Sequence, residues 1–506
     1  MGAGILLSRL MGLVRDRIFA YYFGTSPVAD AWRAALRTPN VLQNLLGEGT
    51  LSASFIPVYA EFLEEGRHET AGRFAGAALG ILSVVAGSLA LLGVLVAPWL
   101  VELFFFGWDD GKQALTVTLV RILFPMTAVL VVSAWALGVL NSHRRFFVSY
   151  VAPVFWNLAM IAAMVAGGVW WGLGERDLVV ALGWGALVGG VLQFGVQLPF
   201  VARHLIGFRL SLGRGVEGVG EAIRNFVPVV AARGVVNLSS WLDVILAATL
   251  VDGAVAVLGY AQTFYVLPIS LFGMSVAASE LPELSRMRAQ DREVLAERVA
   301  TALRRVSFFL LPSALVYLAL GDVVVAALYQ TGAFGLPQTL VTWAVLGAYS
   351  LGLAASARSR VLSSAFYALR DTATPARIAT LRVVVSAVVG IALMIPLDRM
   401  GFAQLRLGAA GLALGASVGA WLEYGLLRRA LGRVIGAHGA PSDALVRMGL
   451  AAALGTATAV GLQLVLPPTH PALLALETLV PGGVVYLAAA WALGLGDPRT
   501  ILRRRG

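Results

Sequence analysis

The feature that most restricts this chain is a recurrence of long, predominantly apolar runs, separated by short loops in which many of its arginines cluster. A helix of about 20 apolar residues spans the roughly 30 Å of hydrocarbon in a bilayer. Runs of that length fall near 3–24, 28–60, 74–106, 114–140, 149–172, 178–202, 222–250, 255–281, 300–329, 337–367, 375–397, 408–431, 444–466 and 471–495. They predict an all-α polytopic membrane protein with about 14 transmembrane helices.

The loops supply an independent check. Arg67 and Arg73, Arg144 and Arg145, Arg203, Arg209 and Arg214, Arg286, Arg288 and Arg292, Arg370 and Arg377, and Arg428, Arg429 and Arg433 all follow even-numbered helices. Loops after odd-numbered helices are short and poor in bases. Because cytoplasmic loops retain Lys and Arg, this pattern predicts a multi-pass membrane protein with both termini in the cytoplasm. Arg399 and Arg406 break the alternation and are assigned to a short interfacial segment.

Composition narrows the function. With 58% hydrophobic and 13% charged residues and a mean hydropathy of +0.81, the chain lies outside the soluble globular range. Its net charge of +10 is dispersed among loops rather than gathered into one patch, so no nucleic-acid partner is expected. The absence of cysteine excludes disulfides and thiolate metal sites. Five scattered histidines give no metal-ligand spacing, and no cofactor is expected. No nucleotide-binding loop or Ser/His/Asp arrangement is present, so the chain is not read as an enzyme.

A weak internal repeat organises the helices. Asp30 to Pro39 is echoed by Gly259 to Pro268, and 52–62 by 277–287. The period covers six helices, which predicts two six-helix lobes, residues 1–213 and 214–440, with a pocket at the repeat interface. Residues 441–506 then add two further helices and a basic tail.

Within this apolar frame, Ser8 to Pro57 is conspicuous for its ionisable groups. Arg9, Arg15, Asp16, Arg17, Asp30, Arg33, Arg37 and Glu48 all fall inside two spanning segments. An Arg or Asp at the centre of a spanning helix costs roughly 2.5 to 3.5 kcal/mol, so such residues face protein or a water-filled cavity. Residues three, four and seven apart share a helix face, which aligns Asp30, Arg33, Arg37, Asn40, Asn44 and Glu48 in one stripe. Arg9 and Asp16 align on the preceding helix. The competing reading is that Arg9, Arg15 and Arg17 snorkel to the headgroups.

The segments SRLMGLVRDRIFAYYFG, TPNVLQNLLGEGTLSASFIPVYAEF, GVLNSHRRFFVSYVAPVFWNLAMIA, LYQTGAF and FYALRDTATPARIA resemble the MurJ (MviN) family of lipid II flippases, in the multidrug/oligosaccharidyl-lipid/polysaccharide exporter superfamily. The resemblance runs from about Ser8 into the twelfth helix. It implies alternating access between two lobes, with an arginine-rich cavity for the pyrophosphate and sugar headgroup and a groove beside the last two helices for the polyprenyl tail. It implies lipid II and membrane lipids as partners, with the cell-wall synthesis machinery as a further one. The family's cavity positions correspond to Ser8-Arg9, Arg15-Asp16, Asp30, Arg37 and Glu48-Gly49, with Asn40 on the same stripe. Arg suits a pyrophosphate because its planar fork of donors binds oxyanions bidentately.

Two positions depart from the family pattern. Gln43 and Thr263 stand where members carry cavity arginines, with Arg233, Arg358, Arg360 and Arg382 as candidate substitutes. A cation site described in parts of the family would use Asp243, but its other ligand positions are Ser386 and Gly390, which offer little oxygen for a hard cation. Three other functions fit parts of the sequence: a flippase for another polyprenyl-diphosphate-linked glycan, a MATE-like exporter of amphipathic cations, and a diverged, non-transporting paralogue. The excess of arginine over acid in the first two helices speaks against the MATE-like reading.

Overall fold

The structure, a computed structural model, describes residues 2–273, 292–402, 405–439, 442–467 and 470–495, with backbone alone at 2–3, 5, 231–240, 273, 401–402 and 405. The echo of the repeat at 277–287 therefore lies outside the described residues, as does the Arg233 side chain.

The helices are α1 (Gly2–Phe23), α2 (Pro27–Leu46), α3 (Glu48–Glu64), α4 (His68–Phe104), α5 (Asp110–Ser142), α6 (Phe146–Val165), α7 (Glu175–Ala202), α8 (Val219–Ala248), α9 (Ala254–Pro268), α10 (Arg292–Tyr329), α11 (Leu336–Ala368), α12 (Ala373–Arg399), α13 (Gly408–Ile435), α14 (Ser442–Val465) and α15 (Pro471–Ala492). Single π-helical turns follow α6 and α9, at Ala166–Trp170 and Ile269–Gly273. Among the described residues, 11 helices are long and apolar enough to cross a membrane. α1, α2, α3 and α8 fall outside that set, and the first two are the helices dense in charge.

One expected helix is broken. The run at 28–60 divides at Gly47, whose backbone (φ −83°, ψ −154°) leaves the helical region. A Cβ at Gly47 would lie 2.3 Å from the Gln43 carbonyl oxygen, so the bend needs glycine. Thr50 Oγ1 donates to the Leu45 carbonyl at 2.6 Å and satisfies an acceptor that the break exposes. As a result Glu48 opens a new helix, and the single stripe expected from Asp30 to Glu48 ends at Asn44.

By packing, the chain divides into two compact units, Met1–Val255 and Ala256–Gly506. In the first, α5 is central and packs against α2, α3, α4 and α7, while α1 lies on α6. Helix α8, which the repeat groups with the second lobe, packs here on α2 and α3. The core stacks Phe55 on Phe74 at 5.3 Å, and Trp135 Nε1 donates to the Ala75 carbonyl at 3.0 Å. Along α4, Gly72, Gly76 and Gly80 receive the segment 206–211, and a Cβ at Gly76 would meet the Arg209 carbonyl oxygen at 2.1 Å.

In the second unit, α11 packs on α10 and α13, and α14 and α15 pair beside α10. Small residues let α12 and α13 approach closely: a Cβ at Gly415 would sit 2.5 Å from the Gly390 nitrogen. Helix α10 kinks at Leu320 (φ −130°, ψ 21°). Where an interfacial segment was expected after α12, the chain forms a two-residue ladder, Gly401–Phe402 against Leu405–Arg406, and Arg406 pairs with Asp398 at 3.4 Å.

Candidate functional site

In the first unit Arg15 and Asp16 of α1 enter one polar cluster and Asp30 of α2 enters another. The first is built on α1 and α6. Arg15 binds its neighbour Asp16 through Nη2 (2.7 Å) and Nε (3.1 Å) to Oδ1, and its Nη1 donates to Asn157 Oδ1 at 3.1 Å. Asn157 is fixed in turn by donating to the Pro153 carbonyl at 3.0 Å. The Arg15 guanidinium also lies over the Trp156 ring at 5.5 Å. Asp16 is buried and Arg15 only half-buried, so the carboxylate anchors a guanidinium that keeps exposed surface. A cation held in this way presents a preorganised charge to an anionic ligand.

The second cluster joins α2, α5 and the turn after α8. Ser26 caps α2 by accepting from the Ala29 N–H, with Pro27 in the first turn, and this places Asp30 one turn in. Asp109 caps α5 by accepting from the Lys112 N–H at 3.0 Å, which aims the lysine at α2. Lys112 Nζ then donates to Asp30 Oδ2 at 2.8 Å and to Asp252 Oδ1 at 2.7 Å. The Gly253 N–H donates to the same Asp30 oxygen at 2.7 Å. Gly253 has φ +90°, and a Cβ there would meet the Thr25 carbonyl oxygen at 2.5 Å. Trp108 lies under the ammonium at 4.0 Å and donates from Nε1 to the Ala248 carbonyl at 2.9 Å. These contacts clasp the chain segment 248–253 to the ends of α2 and α5.

The remaining expected residues are more dispersed. Arg9 is exposed at the start of α1. Arg37, Asn40 and Gln43 are half-buried along α2, and Glu48 is exposed at the start of α3. Asp243 is half-buried on α8. In the second unit Thr263 is half-buried and donates back to the Gly259 carbonyl at 3.1 Å, while Gln262 donates to the Tyr349 hydroxyl at 3.1 Å. Tyr265 stacks on Tyr349 and shares a 2.6 Å hydrogen bond with Ser356. Arg358 is buried and donates from Nε to Ser307 Oγ at 2.9 Å, whereas Arg382 pairs with Glu423 at 2.7 Å. Ser386 and Gly390 both lie against α13. Among the described residues, no group of three or more His, Asp or Glu could hold a metal.

Sequence reasoning missed Lys112, Asn157, Asp252 and Glu423. A signal for the first was present: Lys112 is the sole lysine among 38 Lys and Arg residues. A chain that otherwise uses only arginine has a compact ammonium where Asp30 and Asp252 converge on it.

The family model for lipid II flippase MurJ matches residues 19–470. A probable lipid II flippase MurJ of Rhizobium tropici is 30% identical over 511 residues, covering 100% of this chain and 89% of the relative. The lipid II flippase MurJ of Burkholderia cenocepacia is 32% identical over 429 residues, covering 83% of this chain and 80% of the relative. Among solved structures, an inward closed conformation of lipid II flippase MurJ aligns over 99% of both chains, with a TM-score of 0.81 and 23% identity. An inward-facing multidrug resistance MATE transporter of the MOP superfamily aligns over 84% of this chain and 95% of its own, with a TM-score of 0.64 and 16% identity. Both structures share the fold. On the extent of the family match and of the two bacterial relatives, this chain belongs to the lipid II flippase MurJ family.

Proposed function

We propose that this chain is a lipid II flippase, moving the polyprenyl-diphosphate-linked peptidoglycan precursor from the cytoplasmic to the outer leaflet by alternating access. The observation that carries the proposal is family membership over almost the whole chain, joined to a cation, Arg15, held on α1 by Asp16 and Asn157 with part of its surface free. Transport of this kind makes and breaks no covalent bond, so the chain acts as a transporter and not as an enzyme.

The proposed headgroup site comprises Arg9, Arg15, Asp16, Asp30, Arg37, Asn40, Gln43, Glu48, Arg233 and Thr263, with the arginines meeting the diphosphate. Asp30 contributes through the clasp it forms with Lys112 and Gly253. The division into lobes at 1–213 and 214–440, with 441–506 as an addition for the lipid tail, is the functional organisation we propose. The protein resides in the plasma membrane with cytoplasmic termini and hands its product to the cell-wall synthesis machinery. An inside-negative potential favours outward movement of an anionic headgroup by about 2.3 kcal/mol per charge per 100 mV.

The test is rescue of a bacterium depleted of its own lipid II flippase, scored by survival and by precursor reaching the outer leaflet. Rescue by the parent and loss of rescue by Arg15→Ala, at equal membrane abundance, is the expected result. Failure of a well-inserted parent to rescue would overturn the substrate assignment. Reporter fusions at each terminus test the orientation.

A further inference from the structure

Arg121 lies outside both polar clusters and is exposed on α5, on the face shared by Ala114 and Thr118. Its depth in the membrane can be read from the sequence. Ile122 to Asn141 carries no charge, and its 20 residues span about 30 Å as a helix, the thickness of the hydrocarbon. Ser142, His143, Arg144 and Arg145 follow at one boundary, which leaves Arg121 at the other. With Arg144 and Arg145 cytoplasmic, as proposed above, Arg121 stands at the outer-leaflet headgroup level.

The neighbouring α4 is adapted to this arginine. Pro98 has no N–H to offer the Val94 carbonyl four residues earlier, and Arg121 Nε donates to that carbonyl at 3.4 Å. The helices approach closely at this point: a Cβ at Gly93 would lie 2.3 Å from the Phe124 ring. The backbone contact engages one of five guanidinium donors, and Nη1 and Nη2 have no partner among the described residues. Trp99 is 60% exposed one residue past the proline, at the level where indoles mark a membrane interface, and Leu91 and Leu95 are exposed on the hydrocarbon side.

We propose that Arg121, steered by the carbonyl that Pro98 leaves free, seats the phosphate of an outer-leaflet lipid beside α4 and α5. The guanidinium fork binds the phosphate oxygens, the indole packs at the headgroup level, and the exposed leucines accompany the acyl or polyprenyl chain. A lipid-borne phosphate has two sources, a bulk anionic phospholipid or a polyprenyl diphosphate. The site rests on the membrane orientation proposed above but not on lipid II being the substrate.

The experiment is native mass spectrometry of the full-length protein released from detergent, with phosphatidylglycerol, undecaprenyl diphosphate or the neutral lipid diacylglycerol added in turn. The parent is expected to retain a phosphate lipid over diacylglycerol, and Arg121→Gln to lose about tenfold in occupancy, with Arg121→Lys in between. Loss confined to phosphatidylglycerol identifies a bulk lipid, and loss confined to the diphosphate identifies the polyprenyl source. Pro98→Ala restores the helical donor to Val94 and removes the steering, so it is expected to weaken retention less than Arg121→Gln does, whereas Pro98→Ala/Arg121→Gln is expected to lose the lipid. That pair separates phosphate binding from any structural role of the arginine. Equal retention by parent and Arg121→Gln, in both backgrounds and for both lipids, overturns the proposal. So does equal retention of diacylglycerol and the phosphate lipids by the parent. Reporter fusions that put Arg144 and Arg145 outside would instead move the seat to the inner leaflet.

Discussion

Replacing Lys112 with methionine isolates the clasp on α2, α5 and the turn after α8. The lysine side chain is 3% exposed and the Asp30 side chain 1%, so removing the ammonium takes this cation away from a carboxylate that water cannot reach. Breaking a buried pair from one side costs about 3 to 5 kcal/mol. The Asp252 side chain is 59% exposed and rehydrates, so its share is at most about 1 kcal/mol. Loss of the ammonium above Trp108 adds about 0.5 to 1 kcal/mol. The net expectation is about 4 to 7 kcal/mol, or roughly 8 to 28 °C in the melting of a unit of this size. Tryptophan fluorescence on heating in detergent measures it.

Removing both charges, in Asp30→Leu/Lys112→Met, leaves no stranded carboxylate and is expected to recover most of that loss. Because Lys112 is the sole lysine, an amine-reactive acetylating reagent reads its burial directly by intact mass. The folded parent should label at the α-amine alone, and Asp252→Ala should admit a second label. A melting shift below about 3 °C for Lys112→Met, or a double variant no better than the single, would refute this account of the clasp.

Three further outcomes follow from the same contacts. Asp16→Asn weakens the restraint on Arg15 and is expected to lower flipping severalfold in proteoliposomes while Arg15→Lys, which cannot hold both Asp16 and Asn157 through a fork, loses a comparable amount. Gly76→Val drives a branched side chain into the Arg209 carbonyl and should reduce the yield of folded protein by size-exclusion chromatography, with Gly87→Val, where a Cβ meets nothing, as the harmless control. His143 stacks on His204, bonds to the Tyr59 hydroxyl and lies near His68 and Arg145; burial, followed by those cationic neighbours, pushes its pKa down to about 4. A base depressed in the fold gives stability that is complete above the unfolded value of about 6.5 and is lost as pH falls toward 4. Melting followed across that window should therefore decline with acid in the parent and decline less in His143→Gln.

The membrane class, the helical architecture and the polar character of α1 and α2 were legible in the sequence because each is a local property. A run of apolar residues fixes a spanning helix by its own length, and spacings of three and four place side chains on one face without reference to any other segment. Arg15 beside Asp16 was legible for the same reason. The break at Gly47 was not, since it depends on where the Gln43 carbonyl points once the helix bends. What each charge touches was beyond any local pattern: Lys112 lies 82 residues from Asp30 and 140 from Asp252, and Arg15 lies 142 from Asn157. Hydropathy marked such residues as unable to face lipid, which is a statement about cost. The partners that offset that cost come from other helices, and packing of α2 on α5 and of α1 on α6 alone decides them.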